Sequence, residues 1–148
     1  MKPDDLNGVP GLTIGNCSKV TLPVNKLEDR KWIFLENINA IDFIHSENNT
    51  SYNIQFTNTS NFAIKNSTLR KFLYKASKPS TIGYLSFEGV KVTEEIVFSN
   101  IEIHTLEISN CEINKIRQEA FDVKVTNVLK IQNNAFKEVE SNAFKKLR

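Results

Sequence analysis

A pair of apolar residues, separated by one position, recurs six times along this chain at intervals of 21 or 23 residues. A fixed period of this size is typical of a solenoid, in which one small unit is copied and stacked. Residues i and i+2 of a strand point to the same side, so each pair predicts a strand with one buried face. The pairs are Val20/Leu22, Ile41/Phe43, Phe62/Ile64, Leu85/Phe87, Leu106/Ile108 and Leu129/Ile131.

A second set of apolar pairs predicts that the opposite wall of each coil is also extended. These pairs are Ile33/Leu35, Ile54/Phe56, Ile96/Phe98 and Phe121/Val123. The expected fold is therefore mainly β, a solenoid of about six coils with parallel strands. We expect residues 1–16 to form an N-terminal cap and residues 17–148 to form the solenoid. A seventh pair would begin just beyond Arg148, so we expect the C-terminus to be truncated and its end open.

The later coils carry a more specific motif. The run from Ile103 through Leu106, Ile108 and Cys111 to Ile113 fits L-x-x-L-x-L-x-x-N/C-x-L at every marked position. It continues with Ile116 and Ala120-Phe121, and the same continuation returns 23 residues later. This stretch resembles the extracellular leucine-rich repeat (LRR) family of animals, with an arthropod-like character. The resemblance implies a leucine-rich-repeat-like fold, which is a right-handed, parallel, β-rich α/β solenoid. Residues 17–100 share the period but carry a degenerate motif.

The resemblance implies a non-catalytic recognition or adhesion module that binds a protein ligand or co-receptor on its concave strand face. Family members include innate-immune proteins and receptor ectodomains. Tyr84 is the aromatic residue among the outward strand positions and the expected anchor. The full set of predicted partner-binding residues is Asp42, His45, Lys65, Tyr84, Glu88, His104, Glu107 and Lys130. A structural surface-coat repeat protein is an alternative function.

Five N-glycosylation sequons accompany these repeats and favour an extracellular location, either secreted or in the ectodomain of a surface protein. Their acceptor residues are Asn16, Asn48, Asn49, Asn58 and Asn66. The two cysteines, Cys17 and Cys111, belong to the first and fifth coils, about 19 Å apart at roughly 4.8 Å per coil. A disulfide requires Cα atoms within roughly 7 Å, so we expect both thiols to be free.

The sequence offers one arrangement that could support catalysis. Glu88 and Glu107 fall on adjacent coils, roughly 8 Å apart by strand geometry, which is compatible with an inverting glycosidase. A carbohydrate-acting β-helix enzyme is therefore a second alternative. Lys65 and Lys130 lie in the same columns, however, and opposite charges on neighbouring strands ordinarily stabilise a sheet. We expect structural ion pairs and predict no enzyme activity, cofactor or metal site.

The charge distribution bears on the remaining classes of partner. The formal net charge is +2, and basic residues alternate with acidic ones, so no continuous positive stripe is expected for nucleic acid. No apolar stretch is long enough to span a membrane. An open C-terminal end would expose core residues and unpaired strand edges, which makes self-association there a further expectation.

Overall fold

The computed structural model describes residues 11–28, 30–44, 54–56 and 59–148, in which parallel strands wind into a β-solenoid of about five turns. A short 3₁₀ helix, Val24–Lys26, follows the first strand, and no α-helix occurs in these residues. The predicted solenoid class is confirmed. The strands are β1 (Gly11–Pro23), β2 (Trp32–Ile44), β3 (Asn61–Lys65), β4 (Thr68–Glu88), β5 (Lys91–Ser109), β6 (Glu112–Ile116), β7 (Phe121–Gln132) and β8 (Ala135–Val139).

One wall of the solenoid, here called the front sheet, is built from six five-residue rungs in parallel register. The rungs are residues 11–15, 32–36, 61–65, 84–88, 105–109 and 128–132. Four of the six predicted apolar pairs stack here in one column. They are Phe62/Ile64, Leu85/Phe87, Leu106/Ile108 and Leu129/Ile131.

The prediction is wrong for the first two pairs. Ile41 lies opposite Leu69 rather than Phe62 and therefore belongs to the wall that follows the front sheet. Val20/Leu22 lies opposite Ile41/Phe43 on that same wall. The front-sheet positions of the first two rungs are occupied instead by Leu12/Ile14 and Ile33/Leu35.

The reason for the misplacement is one long coil. Ile33 and Phe62, which lie opposite each other, are 29 residues apart, whereas other steps of this column are 21 or 23 residues. Ile41 follows Ile33 by eight residues and precedes Phe62 by 21. The 21 residues from Ile41 to Phe62 thus equal one period of the repeat by themselves, so the pattern assigns Ile41/Phe43 to the front sheet in place of Ile33/Leu35.

The opposite wall is extended along β4, β5 and β7 and carries a continuous aromatic core. Phe72 lies opposite Ile96, Tyr74 opposite Phe98, and Phe98 opposite Phe121. Ring centroids are 5.5 Å apart for Phe72–Phe98 and 5.4 Å apart for Phe98–Phe121. Such pairs add to the stabilisation from apolar burial, so this column of rings ties successive coils together.

The corner that ends each front-sheet rung is formed by a residue in the left-handed region of backbone space. The φ angles in this corner lie between 48° and 62°. Asparagine and glycine tolerate this conformation better than other residues. Backbone bonds join the corners along the axis, as from Asn66 N–H to Glu88 O (2.9 Å) and from Gly89 N–H to Ser109 O (3.0 Å). The six corner residues are Asn16, Asn37, Asn66, Gly89, Asn110 and Asn133.

The first coil includes part of the predicted cap. Because β1 begins at Gly11, the predicted boundary at residue 16 falls inside a strand. Leu12 and Ile14 are buried in the same core cluster as the later rungs. Residues 1–10, the remainder of the predicted cap, lie outside the described residues.

Candidate functional site

The outward side chains of the front sheet form a six-strand surface, here called the front face, which spans roughly 24 Å at about 4.8 Å per strand. Five of the eight predicted partner-binding residues lie on it: Lys65, Tyr84, Glu88, Glu107 and Lys130. The outward positions, rung by rung, are Gly11, Thr13 and Gly15; Trp32, Phe34 and Glu36; Asn61, Ala63 and Lys65; Tyr84, Ser86 and Glu88; Thr105, Glu107 and Ser109; Val128, Lys130 and Gln132.

The other three predicted residues are not among the described residues of the front face. Asp42 lies on the adjoining wall because the second coil is longer than the repeat suggests. Its carboxylate is 3.4 Å from the Lys19 ammonium. Its assignment to the front face is wrong. His104 precedes the fifth rung at a register shift, and its Nδ1 lies 3.1 Å from the Thr126 hydroxyl. His45 lies outside the described residues.

Two aromatic residues outside the predicted binding set lie on the outward side of the second rung. Trp32 and Phe34 are 37% and 39% exposed, although both are large apolar side chains. The indole of Trp32 lies against Gly11, where an added Cβ would come within 1.9 Å of the ring. The neighbouring rung places Asn61 and Ala63 beside them, and the short side chain of Ala63 leaves Phe34 accessible from that side.

The charged part of the front face is organised around Glu107. Tyr84 donates a hydrogen bond from its hydroxyl to Glu107 Oε2 (3.3 Å), and Ser109 donates one to Oε1 (3.4 Å). The Lys130 ammonium lies 3.3 Å from the same Oε1. Lys65 and Glu88 form a second, looser ion pair at 4.0 Å. The predicted cross-strand pairing of both glutamates is confirmed.

The cysteines occupy equivalent corner positions in the first and fifth rungs, and both thiols are free. Cys111 is buried, and the carbonyl oxygens of Ser109 (3.2 Å) and Phe87 (3.3 Å) both lie within reach of its single S–H donor. Burial raises the pKa of the Cys111 thiol above its usual value. This thiol is therefore neutral near pH 7 and poorly suited to nucleophilic or metal-binding chemistry.

Within residues 11–28, 30–44, 54–56 and 59–148, no group of three or more His, Cys, Asp or Glu side chains is arranged to hold a metal ion. The same part of the chain contains no helix with the length and apolarity needed to cross a bilayer.

Two of the predicted glycosylation acceptors can be placed. Asn16 and Asn66 are both exposed and both occupy left-handed corners at the end of a front-sheet rung. The Asn16 side-chain oxygen accepts a hydrogen bond from the amide of Asn37 at 3.0 Å. The acceptors Asn48, Asn49 and Asn58 lie outside the described residues.

Comparison with known proteins does not test the predicted family resemblance. No protein-family model, curated protein or solved structure matches the chain. The leucine-rich-repeat resemblance therefore remains a prediction that rests on the motif of residues 103–148.

Proposed function

We propose that this protein is a non-catalytic, extracellular recognition or adhesion module that binds a protein partner through its front face. The observation that carries the proposal is the exposure of Trp32 and Phe34 side by side on one rung. Tryptophan, tyrosine and phenylalanine supply large apolar contact areas, and they are enriched at protein–protein interfaces. A rigid sheet that presents two of them to solvent has the properties of a docking surface.

The arrangement of the front face supports a partner with an apolar centre and a polar rim. Trp32, Asn61 and Tyr84 are in register on three successive rungs, so the two aromatic rings flank a shorter polar side chain. Strand spacing puts the Cα atoms of Trp32 and Tyr84 roughly 9.6 Å apart. The charged pairs Lys65–Glu88 and Glu107–Lys130 lie beside this aromatic group. Such pairs contribute mainly to orientation and specificity.

The contacts of the two glutamates favour binding over carbohydrate cleavage. A general acid or base must be available to substrate, whereas Glu107 already accepts from Tyr84 and Ser109 and pairs with Lys130. Glu88 pairs with Lys65 in turn. These contacts stabilise the sheet itself.

The extracellular location and the role as a receptor or immune protein rest on the family resemblance and the sequons. Asn16 and Asn66 lie in exposed corners that a glycan can occupy without entering the core. These corners border the front face along one side. Glycans attached there would limit the direction from which a partner approaches, but they would leave the Trp32 end of the face open.

The proposal is tested by capturing extracellular proteins from tissue of the source organism with immobilised chain, followed by affinity measurement on the protein retained. Trp32→Ala combined with Phe34→Ala is expected to weaken that affinity at least tenfold, since hot-spot truncations cost about 2 kcal/mol or more. Asp42→Ala is the matched control on the adjoining wall and is expected to leave the affinity unchanged. Equal affinity for the double variant and the control would overturn the proposal.

A further inference from the structure

Glu36, at the end of the second rung, differs from the other two carboxylates of the front face. Glu88 lies 4.0 Å from the Lys65 ammonium, and Glu107 lies 3.3 Å from the Lys130 ammonium. Glu36 is exposed, and no basic side chain in the described ranges comes within 4.0 Å of its carboxylate. Lys65 lies opposite Glu36 on the third rung, but its ion pair is with Glu88. The second rung therefore carries a carboxylate that no ion pair within the sheet satisfies.

The surface beside Glu36 is open because the first rung carries small residues. Gly15 lies opposite Glu36, and Thr13 lies opposite Phe34. A Cβ built on Gly15 would meet the backbone oxygen of Glu36 at 3.3 Å, and beyond the chain neighbours of Gly15 no described side chain lies within 4 Å of it. The space above Gly15, bordered by Glu36, Phe34 and Thr13, is here called the notch. A group from a partner can enter the notch and reach the Glu36 carboxylate.

The aromatic residues of the same rung offer ring surfaces next to the notch. The Trp32 indole covers Gly11, and its atoms nearest to a Cβ built there include Cδ2 and Cε2, the two carbons shared by both rings. The indole therefore turns one face to the first rung and the other toward solvent. Phe34 lies between Trp32 and Glu36 along the rung and is exposed to a similar extent. Aromatic faces attract cations, which adds to the effect of a nearby carboxylate.

A partner that covers Phe34 also removes water from Glu36, because these residues are successive outward positions roughly 6.6 Å apart. Burial of a carboxylate without a compensating group is costly. An apolar side chain alone would leave that cost in place, and an acidic side chain would add repulsion. The partner therefore has to supply a hydrogen-bond donor that carries positive charge.

We propose that the front face recognises an arginine side chain of its protein partner. The guanidinium occupies the notch and pairs with Glu36, and the aliphatic part of the side chain packs on Phe34. Arginine fits this site better than lysine, because its planar guanidinium is weakly hydrated, stacks on aromatic rings and can bind a carboxylate through two hydrogen bonds. This inference rests on the function proposed above and names the chemistry of the partner.

Trp32 sets a second requirement for the same partner. In an extended segment, side chains two residues apart point the same way and are spaced like Trp32 and Phe34. An apolar side chain two positions from the arginine would therefore pack on the exposed face of the indole when the segment runs along the rung. The expected motif is an arginine and an apolar residue, in either order, separated by one residue.

Selection from a phage-displayed library of random peptides, about twelve residues long, tests the inference without knowledge of the natural partner. The library is panned on the immobilised 148-residue chain after removal of peptides that bind the chain with Trp32→Ala and Phe34→Ala. Both chains are produced in bacteria, so that no glycan at Asn16 occupies the space above Gly15. We expect the retained peptides to be enriched in arginine, with an apolar residue two positions away, relative to the unselected library.

A selected peptide is then synthesised with fluorescein, and its affinity for the chain is measured by fluorescence anisotropy. A second version carries citrulline in place of the arginine, which keeps the shape and removes the charge, and it should bind at least about tenfold more weakly. Glu36→Gln in the chain should weaken binding of the arginine peptide to a similar extent and leave the citrulline peptide unaffected. Glu102→Gln is the matched control, since it removes a carboxylate outside the front face, and both affinities should stay unchanged.

The outcomes separate this inference from the front-face proposal. Selected peptides without arginine, or equal affinity of the arginine and citrulline peptides, would overturn the inference and leave the front face as a docking surface. Equal affinity of the arginine peptide for the wild-type chain and for Glu36→Gln would do the same. If no retained peptide depends on Trp32 and Phe34, both proposals fail.

Discussion

Phenylalanines at two places in this molecule have opposite surroundings. Phe72, on the wall opposite the front sheet, is fully buried and contacts the rings of Phe43, Phe62, Phe87 and Phe98. Phe34, on the front face, is 39% exposed beside Trp32. The buried ring stabilises the stacking of coils, whereas the exposed ring contributes far less to folding. The difference identifies Phe34 and Trp32 as candidates for function.

The largest effect is expected from Phe72→Ala. Removal of a fully buried phenylalanine costs about 3–5 kcal/mol, because apolar burial is lost and a cavity remains. The variant should unfold at markedly lower urea concentration than the wild type, as followed by circular dichroism. A loss of less than 1 kcal/mol would mean that the aromatic column does not hold the coils together.

A smaller effect on folding is expected from Trp32→Ala and Phe34→Ala, each made separately. Both side chains are already more than a third exposed, so each change should lower the free energy of unfolding by no more than about 1 kcal/mol. Urea titration measures this in parallel with Phe72→Ala. A destabilisation equal to that of Phe72→Ala would assign these rings to the core and remove the argument for a docking surface.

A local effect is expected from Gly11→Ala. The added Cβ would lie 1.9 Å from Trp32 Cε2, so the indole must move away from the first rung. Trp32 is the single tryptophan of the chain, and its emission reports this directly. We expect a red shift and stronger quenching by acrylamide, with Gly15→Ala as the matched control because its Cβ meets a backbone oxygen at 3.3 Å. Unchanged emission would contradict the placement of the indole.

The smallest effect is expected from Lys65→Ala. Its ion pair with Glu88 spans 4.0 Å, and both side chains are close to half exposed. Exposed pairs of this kind contribute roughly 0–1 kcal/mol and weaken in salt. Thermal unfolding with and without 1 M NaCl should show a difference of a few tenths of a kcal/mol at most. A larger loss would indicate that the charged columns, rather than the aromatic core, set the register.

The sequence predicted the solenoid because a pair of apolar residues recurs once in each coil. It also placed Lys65, Tyr84, Glu88, Glu107 and Lys130 correctly, since the coil lengths after the third rung are regular. A strand's apolar pattern identifies which residues face inward, but it does not say which wall of the coil the strand belongs to. Two walls with the same alternation are therefore interchangeable wherever a coil changes length.

That ambiguity hides Trp32 and Phe34 from a prediction based on sequence. The apolar pattern assigns their strand to the opposite wall and the front rung to Ile41 and Phe43, whereas the observed register is the reverse. The left-handed corners carry part of the information that separates the walls, although Asn100 follows Phe98 of the opposite wall at the same offset. An asparagine or glycine follows the second inward residue by two positions in all six front rungs, including Asn37 after Leu35. Ile41 and Phe43 have no such residue, since His45 occupies that position.

The front face depends on residues 32–36 pairing in register with residues 61–65. Disulfide trapping tests this register directly. In a chain with Cys17→Ser and Cys111→Ser, the pair Phe34→Cys and Ala63→Cys should oxidise to a disulfide, because these residues lie opposite each other on adjacent strands. The pair Asp42→Cys and Ala63→Cys should stay reduced, as non-reducing mass spectrometry would show. The reverse outcome would place Asp42 on the front face and remove Trp32 and Phe34 from it.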